Sequence, residues 1–251
     1  MPFQEADLVG RLPEKFTCPF DRQPHAVAKM AAVQLQIHLQ EQRVWEHNFG
    51  LRNGQEGPVI GKMFGVLVVQ AEQGELGFLA AFSGKLAGSN HHAYFVPPVF
   101  DSLTEGSFLN LGMAALTQLN NQIKALSTET PTVGNQVLQA ELMAQRKLHS
   151  LALQEQLFEE YHFLNQGGEV KTLRQLFKKE SGKNPPAGAG ECAGPKLLQY
   201  AFQHKLQPLA MAEFWWGQSP KSVHWQHGHF YPACQEKCAP ILAHMLQGLI
   251  D

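Results

Sequence analysis

The sequence predicts a single α/β domain over residues 1–251, three-layered, with helices laid on a small mixed sheet and a helical hairpin inserted at about residues 108–165. Three observations predict it. Two β-branched apolar runs, VIGKMFGVLVVQ and ELGFLAAFSGKL, flank a short turn. A third apolar run, LQPLAMAEFWWG, comes much later. Between them the chain is helical in character, with no Gly or Pro from Asn135 to Asn165.

Residues 1–23 read as an irregular arm containing Pro13 and Pro19. Pro24 opens a helix in which Val27, Ala31, Leu35 and Leu39 recur every four residues, with Met30, Val33 and Ile37 widening the apolar face. NFGLRNGQEGP is a turn-rich link. The first two strands, joined through AEQG, form a β-hairpin; apolar at nearly every position, it should be covered on both faces. AGSNHHAYFVPPVFD is a loop that leaves His91 and His92 exposed. STETPTVG breaks the helical region into two antiparallel helices, the second carrying a stripe of Leu138, Leu142, Leu148, Leu151, Leu153 and Leu157. A short helix follows in GEVKTLRQLFKKESGKN. PPAGAGECAGPKLLQYAFQHK is a loop feeding a helix, with Pro195 in its first turn. After the third strand, QSPKSVHWQHGHFYP is a loop, and ACQEKCAPILAHMLQGL is the last helix.

Composition narrows the function classes. Apolar residues make up 44% of the chain and charged residues 17%, enough to build a core. A net charge of −2 gives no global attraction to nucleic acid or anionic membrane. The N-terminus lacks a basic start followed by an apolar stretch, and no run reaches the ~20 residues of a membrane span. A cytoplasmic protein without a membrane partner is expected, and there clustered cysteines point to metal or catalysis before disulfides.

Three of the four cysteines fall at the starts of two late helices: Cys192 on one, Cys234 and Cys238 on the other. Helix N-termini favour thiolates, and an i, i+4 pair projects from one face. If the two starts meet, three sulfurs converge, and zinc would accept them with a fourth position for water or for His229 or His227. The alternative is that these are small buried thiols. Cys18 stands apart as structural or free. Between residues 171 and 205, seven basic residues face two acidic ones. Lys171, Arg174, Lys178, Lys179, Lys183 and Lys196 are therefore candidates for holding RNA phosphates, or else form an ordinary solvated face. Trp215, Trp216, Trp225, Phe230 and Tyr231 are either base-stacking platforms or core.

The order helix, hairpin, helix, strand, helix, with a thiol opening the second core helix and a cysteine pair opening the third, resembles the cytidine deaminase fold over about residues 24–86 and 185–250. That resemblance implies a zinc site and a proton-shuttling Glu two residues after the first ligand. Here Gly194 stands at that position; the nearest acid in sequence is Glu191, and Glu213 lies on the third strand. ACQEKC also has one residue more than the family's cysteine spacing.

GKMFGVLVVQ, FLAAFSGKL, FVPPVFD, PPAGAGECAGPKLLQYA, LAMAEFWWG and HGHFYPAC together resemble the region ahead of the catalytic domain in certain long bacterial RluA-type pseudouridine synthases, over about Phe16 to Leu249. This resemblance implies an association with RNA uridine isomerisation. The family's catalytic Asp motif, of the type His-Arg-Leu-Asp, does not occur; the aspartates are Asp7, Asp21, Asp101 and Asp251. The sequence ends where the synthase domain would be expected to begin. The expectation is thus a non-catalytic, RNA-engaging accessory domain, and its rival a zinc-dependent nucleobase or nucleoside deaminase with Glu191 as catalytic acid.

Overall fold

The computed structural model describes residues 1, 12–130, 132–180 and 184–249. Its elements run α1 (Ala26–Glu41), β1 (Lys62–Gln70), β2 (Leu76–Phe82), α2 (Phe108–Thr128), α3 (Val133–Glu160), β3 (His162–Leu164), β4 (Val170–Thr172), α4 (Leu173–Glu180), α5 (Ala193–Gln203), β5 (Gln207–Trp216), β6 (Phe230–Tyr231) and α6 (Gln235–Met245). Contacts divide them into two units, Met1–Val99 with His162–Asp251, and Phe100–Tyr161.

The first unit is a mixed α/β layer structure. Its main sheet has the order β2-β1-β5-β6, and every pairing in it is antiparallel, where the sequence predicts a mixed sheet. β1 is central and buried from Phe64 to Val69, as a strand covered on both faces must be. Its even residues, Phe64, Val66 and Val68, join Phe82, Ala212 and Phe214 in a core beneath α1. The Phe64 ring lies 6.0 Å from that of Phe214 and 5.8 Å from that of Phe95; burying each such ring contributes ~2 kcal/mol. α1 presents Val27, Ala31, Leu35 and Leu39 to this core, while Val33 and Ile37, predicted to widen its apolar face, are exposed.

The opposite face of the sheet carries α5, which also packs against α6. Small residues set this layer close. A Cβ at Gly65 would lie 2.9 Å from the Ala193 Cβ, so the start of α5 can sit on β1 only if residue 65 has no side chain. β3, β4 and β6 have two or three residues each, too short to leave a period in the sequence, and were expected as loop or helix. β3 and β4 form their own two-stranded sheet.

The second unit is the predicted helical hairpin. The break falls between Thr128 and Val133, and α3 is capped by the Thr132 hydroxyl accepting from the Asn135 N–H. The predicted leucine stripe does not form one buried seam: Leu153 is buried, but Leu138, Leu148 and Leu151 are exposed. Gly112 takes the Leu153 side chain, whose methyl carbons occupy the space a Cβ there would need. No helix among the described residues is long and apolar enough to cross a membrane.

Candidate functional site

Two helix starts build the site. PPAGAG turns tightly, with Gly188 and Gly190 at positive φ, and delivers Cys192 as the N-cap of α5. Cys234 is the N-cap of α6, and Cys238, four residues on, is buried under it. The structure brings the three together: the Cys238 thiol is within hydrogen-bond reach of both Cys192 and Cys234. All four cysteines are free thiols.

Their ionisation differs by position. Neither cap sulfur makes a regular capping hydrogen bond. Even so, the hydrogen bond from Cys238, opposed by burial and helped by the N–H groups of Lys237, Glu236 and Cys238, holds Cys234 at about 5. Cys234 is thus a thiolate at neutral pH, on an exposed residue. The hydrogen bonds to Cys192 and Cys234, with burial, push Cys238 the other way and keep its proton.

The acid whose charge acts on these thiols is Glu213. Glu213 sits on β5 directly opposite Gly65, 7% exposed. The Gly194 N–H donates to its Oε1 at 2.9 Å. An ideal Cβ at Gly194 would lie 3.5 Å from that same oxygen, so Glu213 fills from the sheet the space a side chain at 194 would enter. Burial, opposed by the Gly194 N–H and reinforced by the charge of Cys234, raises its carboxyl to about 7. Glu191 pairs with Lys196, its Oε2 3.7 Å from Lys196 Nζ. An acid inside the apolar run LAMAEFWWG was the sequence signal for Glu213.

Beside Glu213 is a cavity of about 10 Å³, lined by Cys18, Asp21, Met211 and Tyr231 among others. It is the size of one water molecule. The N-terminal arm helps close it: the Thr17 N–H donates to Leu209 O and the Ala233 N–H to Pro19 O. Nothing in the sequence announced this strap.

The remaining candidates are dispersed. His229 is exposed on the turn before β6, and His227 Nδ1 accepts from the Gly217 N–H against the Trp216 ring. Three sulfurs are a donor set that zinc favours. No group of three or more His, Cys, Asp or Glu among the described residues is placed to hold a metal ion. Lys196, predicted on the RNA face, is inside the protein, 2% exposed, with Nζ donating to Phe82 O and Gly84 O. Lys171 pairs with Glu169 at 2.9 Å. Arg174 donates to the Asn184 side chain, and Lys178 is exposed. Lys183 and the side chain of Lys179 lie outside the described residues. Trp215 stacks on Trp225 at 5.2 Å, and Trp225 meets Tyr231 at 4.7 Å. His91 is exposed as expected, whereas His92 is half-buried, its Nε2 2.8 Å from Leu86 O.

No protein-family model, curated protein or solved structure matches the chain.

Proposed function

We propose that the chain is a non-catalytic accessory module, deaminase-like in fold, that helps an RluA-type pseudouridine synthase engage RNA, and that its thiol cluster is structural. One observation carries the non-catalytic part: the space beside Glu213 is about 10 Å³, whereas sites that take small organic molecules run from about 300 Å³ upward. The carboxylate is moreover committed to the Gly194 N–H. The RNA part rests on the resemblance and on the basic segment, of whose described side chains Lys178 and Lys205 are exposed and Lys171 and Arg174 half-buried. Replacing Lys178, Lys179 and Lys183 together by Ala should weaken binding of an RNA oligonucleotide and reduce the slope of log K against log salt by about 2–3. Unchanged filter binding overturns the RNA role.

A second reading, a zinc-dependent deaminase, is favoured by one feature: a buried carboxyl of nearly neutral pKa beside three thiols. It expects about one zinc per chain, lost in Cys192→Ser and in Cys234→Ser, and cytidine deamination abolished in Glu213→Gln. Protein free of zinc and inactive on cytidine leaves the structural reading standing.

A further inference from the structure

We propose that the groove between α2 and α3 docks an amphipathic helix with an acidic flank, supplied by a partner protein. This goes beyond the RNA role and uses a different unit of the chain. The groove encloses about 590 Å³. α2 lines it with Met113, Leu116 and Asn120, and α3 with Met143, Lys147 and Leu151. These are positions i, i+3, i+7 on one helix and i, i+4, i+8 on the other. Two antiparallel ridges with that period leave a furrow whose complement is a third helix.

The walls are mixed, with Met113, Leu116, Met143, Ala144 and Leu151 as the apolar part, and they are open. Met113, Met143 and Leu151 are 53%, 49% and 45% exposed. Methionine suits a docking surface because its unbranched, polarisable side chain adapts to the shape it meets. Along the axis the lining spans about two helical turns, ~10 Å, which matches three apolar anchors at i, i+3 or i+4, and i+7.

Charge selects the occupant. Arg146 and Lys147 line the groove and no acid does. Arg146 Nη1 donates to the Asn120 Oδ1 at 3.1 Å, which fixes its guanidinium across the two helices. A second copy docking groove to groove would set these cations against themselves. A helix bearing glutamates beside its anchors would pair with both.

The test uses the full chain and two synthetic helical peptides with the same Leu anchors, one flanked by Glu and the other by Lys, read by fluorescence polarisation at moderate salt. The Glu peptide should bind, and the Lys peptide at least tenfold more weakly. Met143→Asp should abolish binding with the helical circular dichroism unchanged. Arg146→Glu with Lys147→Glu should reverse the preference, an outcome no general loss of folding can produce. Equal binding of the two peptides, no binding of either, or indifference to Met143→Asp overturns the proposal. So does sedimentation that finds a dimer dispersed by Met143→Asp, which assigns the groove to a second copy. Protection of the groove by an RNA oligonucleotide but not by the Glu peptide assigns it to RNA and overturns it as well.

Discussion

Cys234 and Cys238 are four residues apart on one helix, yet the structure gives them opposite characters. Cys234 caps α6, faces solvent and is a thiolate above about pH 5; Cys238 is buried and stays protonated. Metal-free protein treated with iodoacetamide at pH 6.5 should therefore be alkylated at Cys234 first, with Cys238 unmodified until the protein unfolds, as read by peptide mass spectrometry. Cys238→Ala removes the donated S–H and should slow that reaction at pH 6.5. His244 gives a second residue-scale prediction. It is buried, with Nε2 3.1 Å from Phe163 O and Nδ1 3.4 Å from Lys171 Nζ. Burial chiefly lowers its pKa; the Phe163 carbonyl opposes this and the Lys171 charge adds to it. The neutral ring is thus favoured in the folded state. The stability it contributes is present above the unfolded value of about 6.5 and is lost as pH falls through the lower folded value. An NMR titration should place the His244 midpoint below 6.5, and Lys171→Met should raise it. At this scale the cysteines were legible, because a Gly/Pro loop before an apolar period marks a helix start. His227, His229 and Lys196 were not. Side-chain direction in a turn follows no period, and a lysine whose ammonium bonds to carbonyl oxygens reads in sequence like any other.

Elements were legible in proportion to their length. α1, α5, α6 and the three long strands declare themselves through period and turn residues, whereas β3, β4 and β6 hold two or three residues and leave no pattern. What sequence does not convey is which neighbour forces a glycine. Gly65 is required by α5 and Gly112 by Leu153, contacts made 128 and 41 residues further along the chain. Gly65→Ala puts a Cβ 2.9 Å from that of Ala193 and 3.1 Å from Leu197 Cδ1. Because a Cβ cannot rotate away, α5 must lift, at a cost of ~1–3 kcal/mol in thermal or urea denaturation. The lift should also lengthen the Gly194–Glu213 hydrogen bond. Gly112→Val should destabilise the α2–α3 hairpin by a similar amount, and Leu153→Ala in the same chain should recover part of that loss.

The whole molecule has two units of unequal solidity. Buried side chains fill the α/β unit, whereas α2 and α3 bury only Gly112, Leu153 and Phe158 among their described residues. Amide hydrogen exchange should reflect this, with α2 and α3 exchanging well before β1 and β5. Protection in α2 as long-lived as in β1 would contradict it. The layer order and the insertion were legible from the succession of periods; the strand directions were not, because pairing with β5 is decided by packing that no local run encodes. One consequence of that pairing lies in chain entropy. Val68 on β1 meets Ala210 on β5, so closing the sheet brings together residues about 140 positions apart, of which Phe100–Tyr161 account for nearly half. Loop-closure entropy grows only as the logarithm of length, so the inserted segment adds about 0.5 kcal/mol to that closure even when wholly unstructured. The sheet is nearly indifferent to how long the excursion between its second and third long strands is, which leaves the hairpin's length and surface free to vary without loss of the α/β framework.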